Sequence, residues 1–528
     1  MISITGQTLT LEDVERVALA RERDLVLSPQ AKEKVTRSRS FVEGLLEQNE
    51  RIYGVTTGFG RLSEVFIQPP RRKDLQLNLI RSHASGLGSH LSSAEVRTMM
   101  LLRANSLARG DSGCRVEVVQ RLIDFLRLGI HPVVPEIGSV GASGDLAPLA
   151  HVALALLGEG EVEMNGSVIP SRDALARSRL EPIELLAKEG LALINGTQAT
   201  TGLGVLSLLA AERAIETSEV AGATSLEGLR GTPEPFRAEV QEARPHPGQI
   251  ASAQRLRAIL ADSEIRESHR YNDPRVHDAY SLRCMPQVHG AARGALAYVR
   301  QVLEIEVNST TDNPLIFPDA GVVLSAGNFH AQVVAQALDF LAIAVADVAS
   351  ISERRVERLL NPDLSGLPAF LARDPGIESG FMIAQVAAVD LLAEMRVLAH
   401  PASVDSVPTS GNKEDHVSMG MAAARKARRA VECLEYVLAI ELLCAMQALE
   451  FLKPLRPGRG VLLAYEKVRQ HVRALEGDRV LTRDIERLRE MVHAGEFAAL
   501  ALEASERVAG PSLDGTPPAR GKRVSDRR

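Results

Sequence analysis

Residues 418–453 read SMGMAAARKARRAVECLEYVLAIELLCAMQALEFLK. Apolar residues cover more than one face of this stretch, as expected for an inner helix of a large bundle. Similar Ala/Leu/Val/Ile-rich segments occupy 200–226, 248–263, 278–305, 328–360, 376–398, 459–474 and 482–506. From about residue 200 onward the chain therefore reads as nearly all helix.

The first half is more mixed. A helix is expected from Thr10, with Glu12 and Asp13 favourably placed in its first turn. A second starts after Ser28 as N-cap with Pro29 at the first helical position. Helical patterning returns at 72–84 and 93–128, whereas 52–60 carries too many glycines for a regular helix. Residues 131–144 and 190–198 read as loops, with Asp145 as an N-cap. A hairpin is expected from Glu161 to Ile169 around Asn165-Gly166. The fold class is thus mainly α: a large central helical bundle with a smaller mixed N-terminal domain. The change of texture suggests units at 1–200 and 201–509, followed by a Pro/Gly/charge-rich tail, 510–528, expected to be disordered.

Composition narrows the function. The 528 residues are enough for a large core without disulfide or metal staples. A net charge of −6 argues against a phosphate-backbone binder, so no nucleic-acid partner is expected. Aromatic residues make up 3% with no Trp, which disfavours stacking platforms for sugars or bases. Cys114, Cys284, Cys433 and Cys444 are far apart and form no CxxC pair, which suits a reducing compartment. The N-terminus does not read as a signal peptide. The longest stretch free of Asp, Glu, Lys and Arg, Gly190 to Ala211, is too polar to span a membrane. A cytoplasmic protein is expected, without a membrane partner.

P-loop, HExxH, EF-hand and CxxC spacings are absent, and no metal site is expected. Gly138 to Gly144 precedes a helix but has no P-loop lysine, and Pro132 and Pro135 disfavour a central strand before it. A different chemistry fits Ala142-Ser143-Gly144. In a strained turn a backbone nitrogen can attack the carbonyl two residues earlier, and the nitrogen of Gly is the least hindered. Loss of two waters leaves an imidazolone ring with the former Ser Cβ as an electrophilic methylene. Taken alone, the tripeptide reads equally as an ordinary turn.

GSVGASGDLAPLAHVALALLGEGEV, from Gly138, closely resembles the active-site block of the aromatic amino acid ammonia-lyase and aminomutase family, which builds methylidene-imidazolone (MIO) from Ala-Ser-Gly. Further blocks match in the family's order: YGVTTGFG at 53–60, NLIRSHASG at 78–86, EGLALINGTQ at 189–198, DAYSLRCMPQV at 278–288, NSTTDNPL at 308–315, SAGNFHAQ at 325–332 and GNKEDHVSMG at 411–420. The resemblance implies a helical homotetramer whose active sites are each shared by three subunits. It implies MIO formed autocatalytically from Ala142, Ser143 and Gly144, with no external cofactor.

Residue by residue, the resemblance makes Tyr53 the catalytic base or part of the proton network. Asn195 and Phe329 line and polarise the prosthetic group. Tyr280 assists elimination, and Arg283, three residues on, holds the substrate carboxylate by a bidentate pair. Ser82-His83 and Glu414 match the branch acting on histidine. An imidazole at 83 and a carboxylate at 414 can both bind a substrate ring, and Glu414 is the alternative base. His277, Ala279, Met285 and Lys413 depart from that branch. The implied reaction is elimination of ammonia from L-histidine to trans-urocanate. A tyrosine ammonia-lyase or 2,3-aminomutase is the alternative, and a non-catalytic helical assembly protein the distant one.

Overall fold

The computed structural model describes residues 1–48, 50–271 and 273–500. The expected tail from Gly510 lies outside the described residues. The centre is built from Gln198–Gly228, Met285–Glu306, Gln332–Leu360 and Gly420–Glu450, which pack on one another. Small residues let these helices approach closely: a methyl group at Gly204 would lie 3.0 Å from Leu338 and one at Gly228 2.9 Å from Ala448 Cβ. Gln332–Leu360 is long and apolar enough by composition to cross a membrane, but Leu338, Leu341, Val345 and Val348 are fully buried in this bundle.

One buried carboxylate ties three of the central helices together. Glu441 accepts from Arg355 Nε and Nη2 (2.5 and 2.8 Å), from Ser225 (2.7 Å) and from Ser352. Arg355 and Glu441 are both fully buried, and this bidentate pairing is the geometry that compensates their desolvation.

The N-terminal half starts its first two helices where the residues predict. Thr10 and Asp13 form a capping box on Leu11–Ala18, and Ser28 caps Pro29–Glu47 through Ala31 N–H. The Glu161–Met164 and Ser167–Pro170 hairpin turns at Asn165 and Gly166, both at positive φ. Several expectations need correction. The 93–128 stretch is two helices, Ser93–Ala108 and Val116–Leu128, parted by a buried turn with Gly110 and Gly113 at positive φ. The 278–305 stretch likewise divides into Tyr280–Arg283 and Met285–Glu306, the latter opening with Pro286 in its first turn. The expected loop at 190–198 contains the helix Glu189–Ile194, buried throughout. Residues 131–144 include parts of two short strands, Ile130–Pro132 and Pro135–Ile137, with each proline at a strand end where a missing donor is tolerated. Gln198–Gly228 runs unbroken through the change of texture at 200/201.

Candidate active site

The loop 138–145 lies where four helix N-termini converge. Leu146–Leu156 continues directly from it. Ala331, preceding Gln332–Leu360, donates its N–H to Gly141 O (3.2 Å), and Met419, preceding Gly420–Glu450, donates to Val140 O (2.8 Å). Thr200, in the first turn of Gln198–Gly228, donates N–H and hydroxyl to Asp145 (2.8 and 2.9 Å). Asp145 occupies the N-cap position as expected, but its carboxylate makes no side-chain cap: it holds Thr200 and Ser139 instead. Burial raises its pKa, opposed by those hydrogen bonds. The positive ends of four helix dipoles around one loop favour negative charge developing there.

Within the loop, Gly144 has φ +75° and no room for a side chain, since a methyl group would lie 2.4 Å from Gly196 O. Asn195 Nδ2 donates to the Ser143 carbonyl at 2.6 Å, and Asp145 N–H donates to Gly196 O at 2.7 Å. The Ser143 hydroxyl donates to Glu414 Oε1, whose other oxygen accepts from Thr409 Oγ1 at 2.7 Å. A residue without Cβ in a tight turn leaves the Gly144 nitrogen unhindered for attack on the Ala142 carbonyl, and Asn195 holds the Ser143 carbonyl that would become the ring carbonyl, so these residues fit an MIO precursor.

Ser143 opens onto a cavity of about 540 Å³, lined also by Tyr53, His83, Asn195, Phe329 and Glu414. Tyr53 stands on an irregular loop whose backbone is tied by Thr56 and Thr57, and its hydroxyl accepts from Gly60 N–H (3.2 Å). The ring of Phe59 meets it edge-on, with centroids 6.5 Å apart. His83 ends the helix Arg72–His83, and its Nδ1 lies 2.9 Å from the Leu79 carbonyl. A carbonyl only accepts, so Nδ1 carries the proton and Nε2 of the neutral ring is an acceptor. Burial lowers the His83 pKa, with opposing contributions from Leu79 and Glu414, which favours that neutral form.

Tyr280 and Arg283 are not at this cavity. Met285, just beyond them, packs on Gly222, where a methyl group would lie 2.4 Å from its sulfur. Gly222 is roughly 35 Å along its helix from Gln198, at about 1.5 Å per residue. The Tyr280 side is 70% exposed, and the Arg283 guanidinium sits 4.6 Å from its ring centroid. Arg283 Nε is buried with no hydrogen-bond partner among the described residues. Of the departures noted in the sequence, Met285 is core packing, while His277 and Lys413 are exposed.

Sequence reasoning missed other cavity residues, among them Leu75, Asn78, Leu79, Asn313 and Ser410. Leu75, Asn78, Leu79 and Ser82 share a face of the Arg72–His83 helix at i, i+3, i+4 and i+7, a spacing that could have found them once His83 was chosen.

The chain is 52% identical over 504 residues to histidine ammonia-lyase of Myxococcus xanthus, covering 96% of this chain and 99% of that one. It is 54% identical over 500 residues to histidine ammonia-lyase of Anaeromyxobacter dehalogenans, covering 93% and 98%. Among solved structures, histidine ammonia-lyase from Trypanosoma cruzi superposes with TM-score 0.88 at 40% identity, covering 99% of each chain. Tyrosine aminomutase from Streptomyces globisporus gives TM-score 0.89 at 40% identity, covering 97% of this chain and 100% of that one. Residues 9–470 match the aromatic amino acid lyase family, and the chain belongs to that family of enzymes.

Proposed function

We propose that the chain eliminates ammonia from L-histidine to give trans-urocanate, using MIO formed from Ala142, Ser143 and Gly144. One observation carries the proposal: Ser143, held in a tight turn by Asn195, opens onto a cavity that also presents His83 and Glu414. In the ring closure the Gly144 nitrogen bonds to the Ala142 carbonyl carbon. The Ala142 oxygen leaves as water with the amide hydrogens of Gly144 and Ser143. The Ser143 hydroxyl leaves as a second water with the Ser143 Cα hydrogen. The group so formed supplies an electrophile that makes ammonia a feasible leaving group.

The side chains divide the remaining work. His83 Nε2 accepts the substrate's ring N–H, and Glu414 completes the polar end of the cavity. Tyr53 or Glu414 removes the β-proton. Phe329 walls the loop. Because Tyr280 and Arg283 lie at the far end of their own bundle, a neighbouring copy delivers them, with Arg283 gripping the substrate carboxylate. A homotetramer with shared sites is the assembly this requires. The likeness to histidine ammonia-lyases at over 50% identity supports the substrate.

The structural likeness to tyrosine aminomutase favours a second reading, on tyrosine. Parallel incubations with histidine, tyrosine and phenylalanine, analysed for unsaturated acids and β-amino acids, test the choice. Urocanate as the dominant product is expected. Tyrosine consumed far faster than histidine would replace the first reading with the second.

A further inference from the structure

Arg103, on Ser93–Ala108, is fully buried and belongs to no part of the cavity. Its Nε donates to the Ala192 carbonyl (2.8 Å). Its Nη1 reaches the Asn195 carbonyl (3.2 Å), Gln198 Oε1 (3.0 Å) and the Thr311 carbonyl (3.0 Å). Gln198 in turn donates to Thr311 Oγ1 (2.6 Å). Balancing charge comes from the buried Asp312, whose carboxylate lies 4.0 Å from Nη2 and 2.9 Å from Lys188 Nζ.

The Asn195-Gly196 segment is therefore held from two sides. Toward the cavity, Asn195 Nδ2 meets the Ser143 carbonyl and Gly196 O accepts from Asp145 N–H. From behind, the guanidinium fits against Gly196 so closely that a methyl group there would lie 2.3 Å from Nη1. Asn195 can aim its amide at Ser143 only while its own backbone stays where Arg103 keeps it. We propose that Arg103 is a positioning residue for cyclisation: by fixing the carbonyls of residues 192 and 195 it holds Asn195 on the Ser143 carbonyl and Gly196 against Gly144. This rests on the MIO reading above. A lysine cannot replace it, because a single ammonium on a flexible stem does not present a planar fork to acceptors along residues 192–198 and at Thr311 together.

The test is the mass of the peptide containing Ala142–Gly144, taken from the folded, assembled fraction of the full-length protein after size exclusion. Wild type should lack two waters; a wild-type peptide of full mass overturns the MIO reading itself. Arg103→Lys should fold, yet keep both waters in most molecules, so that the cyclised share falls at least about fivefold. If its folded fraction is cyclised as completely and as fast as wild type, Arg103 serves stability alone and the proposal fails, whatever happens to the melting temperature. Should Arg103→Lys not fold, Gln198→Met removes one guanidinium acceptor and the tie to Thr311 while leaving the charge. It should slow appearance of the two-water deficit several-fold in freshly synthesised protein, and an unchanged time course overturns the proposal.

Discussion

The hydroxyl of Ser143 donates to the carboxylate of Glu414, a partner 271 residues away in the chain. In the proposed ring closure the hydroxyl that leaves as water is thus held by a carboxylate of the cavity, while the carbonyl of the same residue is held by Asn195. Ser143→Ala removes the leaving group and keeps the backbone. The variant should fold, show no two-water mass deficit, and lose at least about a thousandfold in turnover, the order expected when covalent catalysis is removed. Steady-state urocanate formation and peptide mass check both halves.

The proposed function has the substrate ring read by His83 and Glu414. Removing a hydrogen-bonding partner from a site built for a ring N–H costs the matching substrate about two to four orders of magnitude in kcat/KM. His83→Leu should therefore reduce activity on histidine steeply while activity on phenylalanine holds or rises. Glu414→Gln separates its two roles: slowing of histidine alone marks a ring contact, and equal slowing of both substrates marks the base.

On the proposed function, Arg283 and Ser143 meet in one site only across a subunit boundary. Ser143→Ala and Arg283→Ala homo-oligomers should each be nearly inactive, and co-expression should restore activity. With random mixing about a quarter of sites combine an intact Ser143 from one copy with an intact Arg283 from another. Activity of the co-expressed pair no greater than the sum of the separate variants would show that each copy works alone.

The Arg355–Glu441 pair joins central helices with neither partner exposed. Glu441→Gln leaves a buried guanidinium without its counter-charge and should destabilise the protein by about 3–5 kcal/mol. Replacing both partners by Met and Leu should cost less than the single change. Urea unfolding of the two variants ranks them.

His131 accepts at Nε2 from Arg97 Nη1 (3.2 Å), and burial together with Arg97 and Arg23 lowers its pKa to about 4. The unfolded chain binds that proton near the ordinary value of about 6.5, so between the two values unfolding takes up a proton and stability falls as pH falls. His131→Asn should lose less stability than wild type between about pH 6.5 and about pH 4.5. Urea midpoints across that interval measure the difference, and parallel slopes would assign the acid sensitivity to other groups.

The helical class was legible in the residues. The helical periodicity of 418–453 and its fellows reports local backbone preference and burial together. Ala142-Ser143-Gly144 reads alone as an ordinary turn, and only the resembling blocks around it single it out. The helix-start signals of Glu12 and Asp13 after Thr10 and of Ser28-Pro29 are equally local, and both helices start there. Two breaks were missed although their signals are local: Gly110-Asp111-Ser112-Gly113 parts the first pair of helices, and Pro286 opens the helix after Cys284. Asp145 has an N-cap's place but turns its carboxylate to Thr200, because a partner from another helix replaces the local one. Only the tertiary structure decided that Ser143, Asn195, His83 and Glu414 share a cavity, that Arg103 stands behind it, and that Tyr280 and Arg283 stand at the far end of the bundle. Sequence spacing reports neighbours within a turn of helix; a helix of about 45 Å, at about 1.5 Å per residue, carries residues joined by unbroken chain to opposite ends of the molecule.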